Sequence, residues 1–87
     1  MKVNDDFVLR NIYGKHILFP IQKNDISSDP ILLNDVAANV WTLINEKNSR
    51  CEVLTKISAI YSLKEGSEEI ISVDNFLSTM IKMNLIY

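Results

Sequence analysis

A helix that cannot stand alone is written into residues 33–44, LNDVAANVWTLI. Asn34 is a strong N-cap candidate, because its short side chain can accept a hydrogen bond from an orphan amide of the first turn. Behind it, Leu33, Ala37, Val40, Trp41 and Ile44 recur at helical spacing and form one apolar stripe. The alanines allow another element to approach closely, and Trp41 is the only tryptophan available to anchor a core. So wide an apolar face needs partners in water. The remaining segments read as those partners.

The chain has 87 residues, enough for one domain spanning 1–87 with one modest core. Nine Lys and Arg against eleven Asp and Glu give a formal charge of −2, and the cations are scattered. That balance lacks the basic footprint of a nucleic-acid binder and the basic face of a membrane-surface helix. No run approaches the roughly 18 apolar residues of a membrane span. The opening MKVNDDF has no apolar core of a signal peptide. Cys51 is the sole cysteine, which excludes an intramolecular disulfide and any thiolate metal cluster. A cytoplasmic protein is the plain expectation.

Met1–Asp6 is polar and expected to fray. Phe7–Tyr13 and His16–Ile21 are rich in strand formers, and Gly14-Lys15 between them predicts a hairpin turn. Pro20 lacks an amide proton and belongs at a strand end or edge. Gln22–Asp29 reads as a loop. Pro30 then opens a short third strand, Ile31–Leu33, at the sheet edge. After the first helix, Ser49 and Glu52 have the spacing of a capping box. The second helix carries Val53, Leu54, Ile57, Ile60 and Tyr61 on one stripe. Ser62–Gly66 is a loop. Ser67 caps a third helix, whose stripe is Ile70, Val73, Phe76, Leu77, Met80 and Ile81. Glu68 and Glu69 suit the positive end of its dipole. Asn84 stands where a helix ends in a left-handed residue, and Leu85-Ile86 can fold back on the core. The fold class is therefore α+β: a winged helix-turn-helix-like chain with a small three-stranded antiparallel sheet, N-terminal, packed on three helices.

Catalytic chemistry has little to work with. His16 is the only histidine, and a half-buried strand position explains it better than a general base does. Cys51 is a small residue at a helix start, without a base at a fixed sequence distance. The acidic residues lack metal-ligand spacing. Two glycines, Gly14 and Gly66, are too far apart for a phosphate loop. No enzyme activity and no cofactor are expected. Three binding roles stay open. A DNA-reading winged helix would use Ser67–Met83, which offers Lys82 as its cation and begins with two glutamates, a poor phosphate surface. An assembly subunit would pair its edge strand with a second copy as a homodimer. A peptide-binding module would accept a guest strand on Ile31–Leu33.

Leu33-Asn34, Ala37, Val40-Trp41 and Leu43-Ile44 resemble the L-N-x-x-A-x-x-[IV]-W-x-L-[LI] signature of the PqqD-like family, named for pyrroloquinoline quinone biosynthesis protein D. The similarity runs over nearly the whole chain. FVLRNIYGKHILFP resembles the family's opening hairpin, and Cys51–Tyr61 its second helix. Val73-Asp74-Asn75-Phe76-Leu77, Met80 and Asn84-Leu85-Ile86 resemble its closing D-V-x-x-F-L-x-x-L-x-x-x-G-L-[IL]. Ser72 replaces the usual acidic residue, Asn84 replaces the usual glycine, and the loop after Asn45 lacks the family's common glycine.

The resemblance implies a RiPP recognition element, a non-catalytic domain that binds the leader of a ribosomally made precursor peptide. It presents that leader to a modifying enzyme, such as a radical S-adenosylmethionine maturase or a leader peptidase. Neither nucleic acid nor membrane is implied as a partner. Carried over, the leader adds to Ile31, Leu32 and Leu33 and packs on the third helix. There, Ser72, Phe76, Thr79 and Met83 share one flank. Phe76 and Met83 would receive apolar side chains, and Ser72 and Thr79 would add hydrogen bonds. The other flank, Ile71, Asn75 and Ser78, remains an alternative. Trp41, Val40, Leu43 and Ile44 belong to the core.

Overall fold

Three strands precede three helices: β1 (Phe7–Ile12), β2 (Lys15–Pro20), β3 (Ile31–Leu33), α1 (Asp35–Asn45), α2 (Arg50–Tyr61) and α3 (Glu68–Lys82). This computed structural model describes residues 1–21 and 29–87, so the loop read over Gln22–Asp29 lies outside the described residues except for Asp29. The strands form one antiparallel sheet in the order β1-β2-β3, which leaves β3 on an edge. It is the expected α+β arrangement of a small sheet with three helices.

The hairpin turn sits one residue earlier than the sequence suggests. Tyr13 and Gly14 are its central residues, with φ of 51° and 78°. A two-residue turn matching the strand twist needs positive φ at both positions. Tyr13 therefore adopts a left-handed conformation and is fully exposed, while Lys15 joins β2. Pro20 ends β2, as its missing amide requires.

Each helix start is fixed by the cap that the sequence offers. Asn34 Oδ1 accepts from the Ala37 amide at 2.8 Å. Ser49 and Glu52 close a reciprocal box, with the Ser49 amide donating to Glu52 Oε1 at 2.9 Å and the Glu52 amide to Ser49 Oγ at 3.2 Å. Ser67 Oγ accepts from the Ile70 amide. Two helix ends share one geometry. Asn84 has φ of 59°, its amide donates to the Ile81 carbonyl, and Leu85 donates to Met80. Lys47 has φ of 69°, its amide donates to Ile44, and Asn48 donates to Leu43. Both are Schellman closures, built on asparagine and lysine where glycine is usual.

The stripe of α1 lies at the centre of the core, with Ala37, Val40, Trp41 and Ile44 buried among Leu18, Leu33, Val53, Ile57, Leu77 and Met80. A fully buried aliphatic side chain of this kind contributes about 1.5–3 kcal/mol. Two stripe positions depart from the periodic reading. Ile60 is 55% exposed and Ile81 41% exposed, because α2 and α3 each turn a narrower face to the core than the pattern allows. Asn48, the one buried polar residue among those described, is satisfied by the Leu43 carbonyl and by Lys56.

The N-terminus does not hang free as a polar stub. Val3 bridges Ile86 in antiparallel fashion, the Lys2 and Tyr87 amides donate to each other's carbonyls, and the Asn4 amide donates to Leu85. Val3 is half-buried against the core and Ile86 is fully buried, so apolar burial holds the two chain ends together.

Candidate functional site

β3 presents one backbone pair to the open side of the sheet, and the register shows which. The Ile21 amide donates to the Asp6 carbonyl at 2.6 Å, so in β2 the odd residues bond toward β1. Bonding direction alternates along an antiparallel strand. His16 and Leu18 therefore bond toward β3, where their partners are Leu33 and Ile31. The amide and carbonyl of Leu32, between them, point away from β2. Upstream on that same side comes Pro30, which has no amide to offer. The side chains divide the same way: Ile31 is half-buried against the core, Leu33 is 7% exposed, and Leu32 is 65% exposed on the outer face. Of the three β3 residues singled out in the sequence, one offers its backbone and two anchor the strand.

Leu32 and Leu33 line a shallow recess with Gly14, Lys15, His16, Asn34 and Asp35. His16 Nε2 and Asp35 Oδ1 lie 2.9 Å apart, tying β2 to the first turn of α1 past the end of β3. Asn34 also borders a second, more enclosed space. That hollow, of about 430 Å³, is walled by the cap residue Asn34, Val36 and Ala37 of α1, Tyr61 at the end of α2, Leu63 after it, and Glu69, Ser72, Val73 and Phe76 of α3. Its walls are mostly apolar. Tyr61 is held by a hydrogen bond to its hydroxyl from Asn39 Nδ2 at 2.6 Å.

The two flanks of α3 named from the sequence have different surroundings. Ser72 and Phe76 face the hollow, whereas Ser78 on the other flank accepts from Arg50 Nη2 at 2.8 Å. Arg50 also donates from Nε to Asp74 Oδ1 at 2.7 Å and from Nη2 to the Asp74 carbonyl at 2.8 Å, bracing α2 against α3. Thr79 and Met83 do not line the hollow. Both are exposed further along α3, and the Thr79 hydroxyl donates back to the Asn75 carbonyl at 3.1 Å. Helical spacing places them on the Ser72–Phe76 flank, but the hollow closes before that flank reaches them. Asn34, Val36, Tyr61, Leu63 and Glu69 were not singled out from sequence as site residues, because their convergence depends on how three helices meet.

The site holds no constellation for metal binding. Among the described residues, no three His, Cys, Asp or Glu side chains gather as ligands. No helix among them is long and apolar enough to cross a membrane. As a chemical object the site is a strand edge with no second partner strand among the described residues, with Asn34 at its end also lining an apolar hollow.

No family model and no curated protein matches the chain. Among solved structures, it is similar to TbiB1 in complex with the TbiA(β) leader peptide, with a TM-score of 0.76 at 23% sequence identity. The match covers 99% of this chain and 94% of that one, so the two share their fold from end to end.

Proposed function

We propose that this chain is a peptide-binding module of the PqqD-like kind, a RiPP recognition element. It takes the leader of a ribosomally made precursor as an added strand on β3. The observation that carries the reading is the outward-facing backbone pair of Leu32 on a sheet edge, with Asn34, just past the end of β3, lining both the recess beside Leu32 and the apolar hollow. Main-chain bonding supplies affinity without regard to sequence, and the hollow supplies selection by receiving one large guest side chain. Strand residues rise about 3.3 Å each, and a guest extended along β3 past Asn34 would leave the recess for the hollow that Asn34 also lines. The shared fold with TbiB1, whose structure contains a leader peptide, supports the same reading.

In this role residues 1–87 act as one unit without catalysis. The bound precursor is presented to a modifying enzyme, a radical S-adenosylmethionine maturase or a leader peptidase. Phe76 and Ser72 make the α3 contact, and Thr79 and Met83 would meet a guest that runs on beyond the hollow. The test is a titration of isotope-labelled protein with a synthetic leader peptide from the precursor encoded beside this gene. Amide shifts concentrated at Leu32, Asn34 and the first half of α3 support the proposal. Silence there at high micromolar peptide refutes it.

A further inference from the structure

Charge at the site narrows the guest further. Among the described residues lining the apolar hollow, Glu69 is the only charged one, and it is exposed on the first turn of α3. The open strand carries an acid at each end: Asp29 two residues before Ile31, and Asp35 two residues after Leu33, both exposed. Among the described residues, the lysines nearby are Lys15 on the β2 side of the recess and Lys64 beside Leu63, and the neighbouring His16 already faces Asp35. None of the three lines the hollow.

We infer that the guest segment is basic as well as apolar, with a large apolar anchor in the hollow and a Lys or Arg two residues away that pairs with Glu69. The spacing follows from strand geometry: in an extended guest, residues two apart point to the same side, about 6–7 Å from one another. The cation therefore emerges at the mouth that Glu69 flanks, while the intervening residue points away. A helix dipole alone does not require Glu69 at this place, since Glu68 beside it already supplies negative charge to the first turn. The same acids disfavour the chain's own copy as occupant. Antiparallel self-pairing centred on Leu32 would bring Asp29 of one molecule to the end of the ladder held by Asp35 of the other. Facing like charges oppose edge-to-edge pairing.

This inference rests on strand addition at β3, and the experiment separates the two. A display library of random peptides, about twelve residues long, is sorted with the wild-type protein, Glu69→Gln, Glu69→Lys and Leu32→Pro. The wild type enriches a large apolar residue with Lys or Arg two positions away. Glu69→Gln keeps the apolar choice and loses the basic one, and Glu69→Lys turns the preference to Asp or Glu. Reversing the charge of that residue in a selected peptide weakens binding to the wild type about threefold to fivefold at low salt, and less at high salt. If the wild type and both Glu69 variants enrich the same charge-blind motif, and Leu32→Pro enriches nothing, the charge inference falls and strand addition stands. If the wild type enriches nothing, or elutes as a dimer that excludes peptide, both fall.

Discussion

The imidazole of His16 faces the carboxylate of Asp35 at 2.9 Å, although 19 residues separate them along the chain. This contact joins β2 to the first turn of α1, just past the end of β3. It brackets the site from one end, as the hollow does from the other. Energetically it is the lesser of two local ties. Asp35 is 83% exposed, and such pairs are worth roughly 0–1 kcal/mol. The Asn34 cap is worth more. Asn34→Ala should lower unfolding free energy by about 1 kcal/mol, and Asp35→Ala by less, in parallel urea melts. Equal losses would mean that the His16–Asp35 contact holds the helix start as firmly as the cap.

Trp41 is 4% exposed at the centre of the core. Trp41→Ala should cost about 3–5 kcal/mol, a large share of the about 5–15 kcal/mol available to a small domain. Circular dichroism with urea titration measures it. A loss under about 1 kcal/mol would contradict the packing described.

Lys47 closes α1 at φ of 69°, a conformation that glycine adopts without strain. Holding a side chain there costs about 1–2 kcal/mol. Lys47→Gly should therefore raise stability by about 1 kcal/mol, seen as a melting point several degrees higher. No gain would show that the Lys47 side chain contributes a compensating contact.

Glu52 closes the box on Ser49, and the Ser49 amide followed by the Ser49 hydroxyl holds its carboxyl below the ordinary value of 4.5. A lowered folded-state value means that the capping contribution is complete above that ordinary value and is lost as pH falls through the folded one. Carboxyl-carbon NMR should show Glu52 titrating below 4.5, with the Ser49 amide resonance moving at the same midpoint. In Glu52→Gln the Ser49 shift should no longer follow pH.

What the sequence discloses about this fold is what lies close together along the chain. Asn34, the Ser49–Glu52 box, Ser67 and the left-handed Asn84 act within a few residues, so residue type and spacing suffice to place them. The chain ends are different. Val3 and Ile86 pair across almost the whole chain, and the opening residues look merely polar when read without their partner. The brace from Arg50 to Asp74 and Ser78 is also invisible to periodicity, since a surface arginine has no preferred address. The geometry of the candidate site divides in the same way. Strand signals located β3 and helical spacing gathered Ser72 with Phe76. Which β3 residue faces outward needed the register against β2, and where the hollow ends needed the meeting of α1, α2 and α3. Thr79 and Met83 show the limit: spacing fixes a flank, while the neighbouring helices decide how much of it lines a groove.

The amide of Leu32 is the most direct witness to guest binding. Its hydrogen exchange, followed by NMR without and with a saturating leader peptide, reports whether that N–H has gained a partner. Strand addition at β3 requires the exchange to slow by at least about tenfold on binding, while fully buried amides such as that of Val40 keep their rate. In Leu32→Pro, where the same proton is missing, folding persists and affinity falls by about tenfold or more. A leader peptide that binds tightly while the Leu32 amide exchanges as before would contradict β3 as the docking edge.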